Sequence, residues 1–293
     1  MSFDLQQFHN IVKITQHKLR ASPALSKLSS TKRTLIAVDL VLVAASIRTG
    51  YLVDAISAQD APSTYASLLH SLCQIHPIFD SLLIIHESSS DQTFFVHARL
   101  AHGRLKRVVG TVARPNTPYP SHSVVEESSF VEVTFVSPGP EPPAKCAMPG
   151  DLRQILEYIT SELDARISDD LYNSQSVIQL PVSHPSAMIP LAAILLEYPV
   201  AYVPPPEPAS FTFLSGIGLD VYEVVLASSL SEPRQHTLLK FSCPHGLDEG
   251  LSPSPQVVKE RLYNHFKPRL STLLPGMSLE VSHSEQTFDR VAL

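Results

Sequence analysis

Tryptophan is absent from this chain, and cysteine occurs only 3 times in 293 residues. Without tryptophan, a core must be built from Leu, Val and Ile with Phe and Tyr. Cys73, Cys146 and Cys243 are too few and too scattered for a disulfide framework. Glycine is also scarce, 10 residues against 25 prolines, which predicts many stiff turns and few flexible ones. Charged residues make up only 17 % and apolar ones 44 %, a balance that supports a substantial core and excludes wholesale disorder. The net charge of −6 excludes a chain built, as a whole, to neutralise nucleic-acid phosphates. The start, MSFDLQQFHN, lacks the basic and apolar regions of a signal peptide. The longest apolar run, Leu35 to Ile47, contains Asp39 and falls short of the ~20 residues of a membrane helix. A reducing setting in cytosol or nucleus, with no membrane partner, is the expectation.

Against these absences stands Ile189 to Pro204, IPLAAILLEYPVAYVP. A helical apolar pattern (Leu191, Ala192, Leu195, Leu196) passes almost directly into a β-branched and aromatic run (Val200, Tyr202, Val203). Pro199 marks the junction, because the residue before a proline leaves helical geometry. Such a handover predicts a mixed α/β fold, a central mixed sheet with helices packed on it.

The same reading gives a first amphipathic helix with Leu5, Phe8, Val12, Thr15 and Leu19 on one face, and a buried helix over Leu35–Ile47. Strands are expected at Tyr51–Ile56, Ser81–His86, Thr93–Leu100 and Leu105–Ala113, the last three as a meander, and at Phe130–Val136. A helix over Pro62–Ile75 precedes the meander. Ser137–Gly150, SPGPEPPAKCAMPG, reads as a linker. A helix follows from Asp151, with strands at Val177–Val182, Val200–Val203, Leu219–Ser228, His236–Cys243 and Met277–Ser282. Further helices are expected over Pro185–Glu197 and Pro255–Phe266. The order helix, strand, helix, strand, strand, strand occurs in both 35–113 and 151–243. Residues 1–293 are thus expected to form a single α/β domain; a diverged duplication would make two similar halves of it, 1–136 and 151–293, joined by the linker.

In open α/β sheets ligands gather outside the carboxyl ends of strands. That rule selects Asp54 after YLV, His86-Glu87 after LLII, Ser183-His184 after LPV, and Cys243 and His245 after LKFS. Asp54 could serve as acid or base, and His184, before a helix start, suits an anion. The bland reading is that such residues cap turns. Cys243-Pro-His245 suggests a thiol nucleophile, but a base must sit beside the sulfur in space, and a buried structural cysteine serves equally. His70 with His76 and His97 with His102 lack metal-ligand spacing, so no metal site is expected. No Gly-x-Ser-x-Gly elbow, phosphate loop or dinucleotide fingerprint occurs, and no cofactor is expected. Arg99, Arg104, Lys106, Arg107 and Arg114 lie in a window, Gln92 to Val125, free of acidic residues. On a hairpin they would form a basic face for phosphate, an acidic peptide or RNA, or else a charged edge that deters aggregation.

The YLVDAI strand, the ILLEYPVAYV junction, the LKFSCP strand exit and the closing RVAL resemble an uncharacterised eukaryotic family whose animal members are known as a chromosome-1 open reading frame. The resemblance implies a domain of unknown function over most of the chain and no catalytic residues to carry over.

Three functions follow as expectations. The first is a non-catalytic intracellular binding or adaptor protein with a protein partner, touching it through the first helix and the basic hairpin. The second is a small-molecule hydrolase or transferase whose pocket gathers Asp54, His184 and His245. The third, binding of phosphate or RNA through 99–114, is the least favoured given the acidic whole.

Overall fold

The computed structural model describes residues 4–54, 60–112, 133–138, 143–168, 176–181, 185–205, 214–227, 235–247 and 254–289. Its architecture is mixed α/β, as the patterning predicts, but the strands form three sheets rather than one.

The first sheet explains the long apolar runs. Strands β1 (Gly50–Leu52), β2 (Leu82–Glu87), β3 (Gln92–His97) and β6 (Val177–Gln179) lie in the order β1-β3-β2-β6. β2 and β3 form a hairpin with Ile84 opposite Phe95 and Leu83 opposite Val96, and β6 joins β2 in parallel. Alternate residues serve different cores. Leu82, Ile84 and Phe95 pack with helices α1 (Leu5–Ala21), α2 (Ser30–Ala44) and α3 (Ala61–Cys73). Leu83, Ile85, Phe94 and Val96 pack with α4 (Ala98–Val112), α5 (Gly150–Ser168) and α6 (Pro185–Leu195). A sheet covered on both faces has no polar side, which is why LLII reads as continuous rather than alternating.

A second, antiparallel sheet has the order β10-β8-β9, from β8 (Gly218–Ala227), β9 (Gln235–Pro244) and β10 (Ser278–Thr287). Tyr222, Val224, Leu239 and Phe241 of this sheet join the α1–α3 core together with Leu262, Phe266 and Leu270 of α7 (Pro255–Leu273). The third sheet, order β5-β4-β7, holds β4 (Thr134–Ser137), β5 (Ala144–Lys145) and β7 (Val200–Tyr202). β4 and β7 run parallel.

Four expectations are corrected. Val177–Val182 and Val200–Val203 do not share a sheet: β6 pairs with β2, and β7 with β4. Of Leu105–Ala113, the described residues, Leu105–Val112, are helix and not strand. Ala98, Ala101, Leu105 and Val108 recur at helical spacing and are all buried, so the chain enters α4 directly from β3. That helix also breaks the matched element order of the two halves. Within Ser137–Gly150, Ala144–Lys145 adds a short strand to β4 rather than serving only as a linker. Finally, α7 continues through Pro268 to Leu273.

The apolar face of the first helix is core, so it is not the surface offered to a partner. Asp4 accepts the Gln7 amide and Gln7 returns to the Asp4 amide, closing a capping box that sets the helix start. Its buried face, Phe8, Ile11, Val12 and Leu19, packs on α2 and α3. Phe8→Ala should therefore destabilise the chain by about 3–5 kcal/mol in urea unfolding; a loss under about 0.5 kcal/mol would return the helix to the surface.

Candidate functional site

The geometry of the candidate site begins at two helix ends built alike. At the end of α6, the Tyr198 amide bonds the Ala193 carbonyl at 2.8 Å and the Glu197 amide bonds the Ile194 carbonyl at 3.2 Å. Glu197 adopts a φ of 67°. At the end of α2, the Ile47 amide bonds the Leu42 carbonyl at 2.9 Å, the Ser46 amide bonds the Val43 carbonyl at 3.0 Å, and Ser46 has a φ of 62°. Both are left-handed helix terminations of the Schellman type, and both lead into a strand. Neither left-handed position is glycine, so each conformation must be held by its surroundings. The His97 ring holds Ser46: its Nδ1 accepts the Leu100 amide, leaving Nε2–H to donate to Ser46 Oγ at 2.8 Å. Burial lowers the His97 pKa to about 4, so the ring is neutral at neutral pH.

Glu197 is held more strongly. Its carboxylate accepts the Thr49 amide at 2.9 Å, His265 Nε2–H at 3.0 Å and Arg269 Nη1–H at 2.9 Å. Burial pushes this carboxyl upward, but Arg269, the His265 hydrogen bond and the charge of Arg104 together hold it well below the usual range. Arg104 donates to the Ile194 carbonyl at 2.6 Å and the Tyr198 carbonyl at 3.3 Å, satisfying carbonyls at the α6 terminus. Burial lowers its pKa to about 10, which leaves it charged at neutral pH. The two helix ends meet so closely that a Cβ on Gly50 would stand 2.9 Å from the Leu195 carbonyl, so only glycine fits there.

This junction leaves two hollows beside it, each of about 370 Å³, sharing Leu52, Leu196, Tyr198 and Lys240 in their walls. One is charged: Lys32, Asp39, Arg48, Asp54 and Lys240 line it. Arg48 pairs with Asp39 there, and buried His236 donates Nε2–H to Asp39 at 3.1 Å. The other is mainly apolar, with Ile189, Ala192, Ala193, Val200 and Phe241 in its wall. The Gln92 Oε1 on that wall is buried without a hydrogen-bond partner among the described residues. Residues of all three sheets contribute: β1 and β3 of the first, β9 of the second, β7 of the third.

A second polar cluster lies across the ends of the second sheet. Asp220 on β8 stands directly opposite Glu285 on β10 and Cys243 on β9. The His283 Nε2–H donates to Asp220 Oδ1 at 2.7 Å, and His245 Nδ1 lies 3.3 Å from the same carboxylate. One ligand atom from each of Asp220, His245 and Glu285 falls within 4.8 Å of the others.

The sequence candidates are scattered by this fold. Asp54 is exposed and lines the charged hollow. His245 lines neither hollow; it faces Asp220. Ser183 and His184 lie outside the described residues, as does Arg114. The structure therefore does not bring Asp54 and His245 to one pocket. Burial, then the Asp220 charge, push the Cys243 thiol up to about 12, away from the lowered pKa that activates a thiolate nucleophile. Cys73 is pushed up to about 11 by burial and by Asp80, and burial raises Cys146. His86 and Glu87 serve the hairpin. His86 bonds Thr93 at 2.8 Å, and Glu87 accepts from the amides and hydroxyls of Ser89 and Ser90. The basic residues lie on a helix, α4, and not on the expected hairpin. On α4, Arg99, Lys106 and Arg107 are exposed, but Arg104 is buried at the α6 terminus. Lys106 pairs with Asp164 of α5 at 3.1 Å, beside His102 on the same carboxylate at 2.7 Å.

Glu197, the Asp39–Arg48–His236 group, and Asp220, His283 and Glu285 beside His245 were not among the sequence candidates. A signal existed for each. Asp39 and Glu197 are lone carboxylates inside apolar runs, and a buried carboxylate requires a partner. His283 and Glu285 alternate in SHSE, which puts them on one face of a strand.

A family model described as "Domain of unknown function (DUF4504)" matches residues 121–293, more than half of the chain. That span holds Glu197, Asp220, His245, Arg269 and Glu285, whereas Asp39, Arg48, Asp54 and Gln92 precede it. No curated protein and no solved structure matches the chain significantly. No described helix is long and apolar enough to cross a membrane.

The thiol assignment has a direct check. At pH 7.5 Cys243 in the folded protein is expected to react with iodoacetamide at least ~100-fold more slowly than in the urea-unfolded chain, since its thiolate fraction is depressed. Equal rates, read by peptide mass spectrometry, would restore it as a candidate nucleophile.

Proposed function

The chain belongs to that family of unknown function, and we propose that it acts as a non-catalytic binding protein whose site is the pair of joined hollows beside the Glu197 junction. The observation that supports this reading is their shape and contrast. They adjoin across a shared wall of Leu52, Leu196, Tyr198 and Lys240, one apolar at Ala192 and Phe241 and the other charged at Lys32, Asp54 and Lys240. A single hollow of about 370 Å³ has the volume of a specific binding pocket. An apolar anchor with an acidic neighbour suits it. The anchor buries against Ala192, Val200 and Phe241, and the acidic group reaches Lys240, whose own pairing with Glu223 is exposed at 3.7 Å and so readily exchanged.

A protein segment is the occupant of choice. The groove is open at the charged end, and its lining comes largely from helices α2 and α6 and strands β1, β7 and β9, packed elements that keep their spacing when a partner docks. The enzyme alternative lacks support at the same place. The charged hollow holds Asp54 without a described histidine or cysteine in its lining, so neither a nucleophile–base pair nor a thiol is offered there.

The test is affinity capture from native cells with the full chain and three variants, read by mass spectrometry. Ala192→Phe fills the apolar hollow, Lys240→Glu reverses the charge at the shared wall, and Arg99→Glu alters the exposed face of α4. The proposal expects a partner captured by the wild type, lost with Ala192→Phe, at least about tenfold depleted with Lys240→Glu, and retained with Arg99→Glu. Retention with both groove variants, once circular dichroism shows them folded, would overturn it. Loss with Arg99→Glu alone would move the contact to α4.

A further inference from the structure

We infer that the open end of the β10-β8-β9 sheet is a binding site for a borderline divalent transition-metal ion of the zinc class, held by Asp220, His245 and Glu285. The sequence spacing predicts no metal site. The fold supplies one by bringing together residues that the sequence separates by tens of positions.

The argument starts from an electrostatic deficit. Four carboxylates are buried among the described residues: Asp39, Glu87, Glu197 and Asp220. Asp39 has the Arg48 guanidinium, and Glu197 has Arg269. Glu87 accepts from two amides and two hydroxyls. Asp220 alone has neither a Lys or Arg partner nor a ring of backbone donors in the described residues; it faces only the imidazoles of His245 and His283. Burying a carboxylate without compensating positive charge is costly.

The second observation is independent of the first. Asp220 and Glu285 are direct cross-strand neighbours in the antiparallel β8/β10 pair. Side chains so paired project from the same face with Cβ atoms ~5 Å apart, and like charges in that arrangement repel. A cation between them removes both defects at once.

The donor set then selects the ion. One imidazole and two carboxylates present ligand atoms within 4.8 Å of one another. Ligands about a tetrahedral zinc stand ~3.4 Å apart at bonds of ~2.1 Å, so a small inward adjustment completes the site. Calcium and magnesium take six or more oxygen ligands, whereas a nitrogen donor with few ligands suits zinc. His283 has a supporting role. Its Nε2–H is 2.7 Å from Asp220 Oδ1, and its ring lies against Tyr222 at 4.9 Å, so it orients the carboxylate from outside the metal's own ligands. His245 has 59 % of its side chain exposed, which gives the ion a path from solvent. The bound ion would clip β8 and β10 to the residue just after β9.

The experiment uses the full chain, freed of metal with EDTA and dialysed, then titrated with Zn²⁺ or Mg²⁺ by isothermal calorimetry, with thermal melting alongside. The expected result is saturable binding of one Zn²⁺ per chain, no Mg²⁺ binding, and a Tm that rises with Zn²⁺ concentration. His245→Ala and Glu285→Gln should each weaken Zn²⁺ at least about tenfold and abolish the Tm rise; without metal, Glu285→Gln relieves the repulsion with Asp220 and should not lower the Tm. His17→Ala, on the exposed face of α1, should change nothing. Absence of Zn²⁺ binding, binding spread over several weak sites, or affinity unaltered by both ligand variants would each overturn the inference. Because none of these variants touches the joined hollows, the outcome is separable from that of partner capture.

Discussion

The fold depends on one buried carboxylate. Glu197 ends α6 in a left-handed conformation that glutamate does not favour, and it is kept there by what its side chain binds. Through the Thr49 amide it fixes the entry to β1, and through His265 and Arg269 it fixes α7. Arg269 adds a second link, donating to the Ile47 carbonyl at 3.0 Å. One group thereby joins the end of α2, the end of α6 and the helix that covers the second sheet. A buried ion group of this kind contributes less to net stability than to a single arrangement, because its attraction is offset by desolvation. What it secures is the meeting of three sheets, and the joined hollows are the space left between them.

Much of this was legible in the chain. The handover at LLEYPV is a helix-to-strand junction as its pattern predicts, and so is the capped first helix. The continuous LLII run is a doubly covered strand, consistent with its lack of alternation. What the pattern could not carry was partnership between distant elements. The Val177 and Val200 strands both look buried, yet β6 finds β2 and β7 finds β4, and no local signal distinguishes those neighbours. Residues 105–112 mislead because Val108, Val109 and Val112 favour strands intrinsically, while Ala98, Ala101, Leu105 and Val108 set a helical face that packing on α5 rewards. Tertiary burial outweighed propensity there.

The candidate site was less legible, for a related reason. Reading outward from strand ends picks exposed polar residues, such as Asp54 and His245, and these lie in different parts of the molecule. The residues that organise the site are polar groups inside apolar runs. Asp39 within LIAVDLVLVA and Glu197 within AAILLEYPV were visible as anomalies. Only the fold shows that Arg48, His236, Arg104, His265 and Arg269 answer them. The Asp220 cluster differs in kind. Its partners are imidazoles and another carboxylate, and it lacks the guanidinium found at the other two ion-paired centres.

The central claim, that the Glu197–Arg269 pair holds the sheets in register, is tested most directly by a double-mutant cycle on folding stability. The variants are Glu197→Gln, Arg269→Met and the two together, each unfolded in urea at pH 7. The account predicts that each single change costs about 3–5 kcal/mol by leaving a buried partner uncompensated. The double variant should lose less than their sum, with a coupling of about 1–3 kcal/mol. Strictly additive losses, or single losses below about 0.5 kcal/mol, would contradict it.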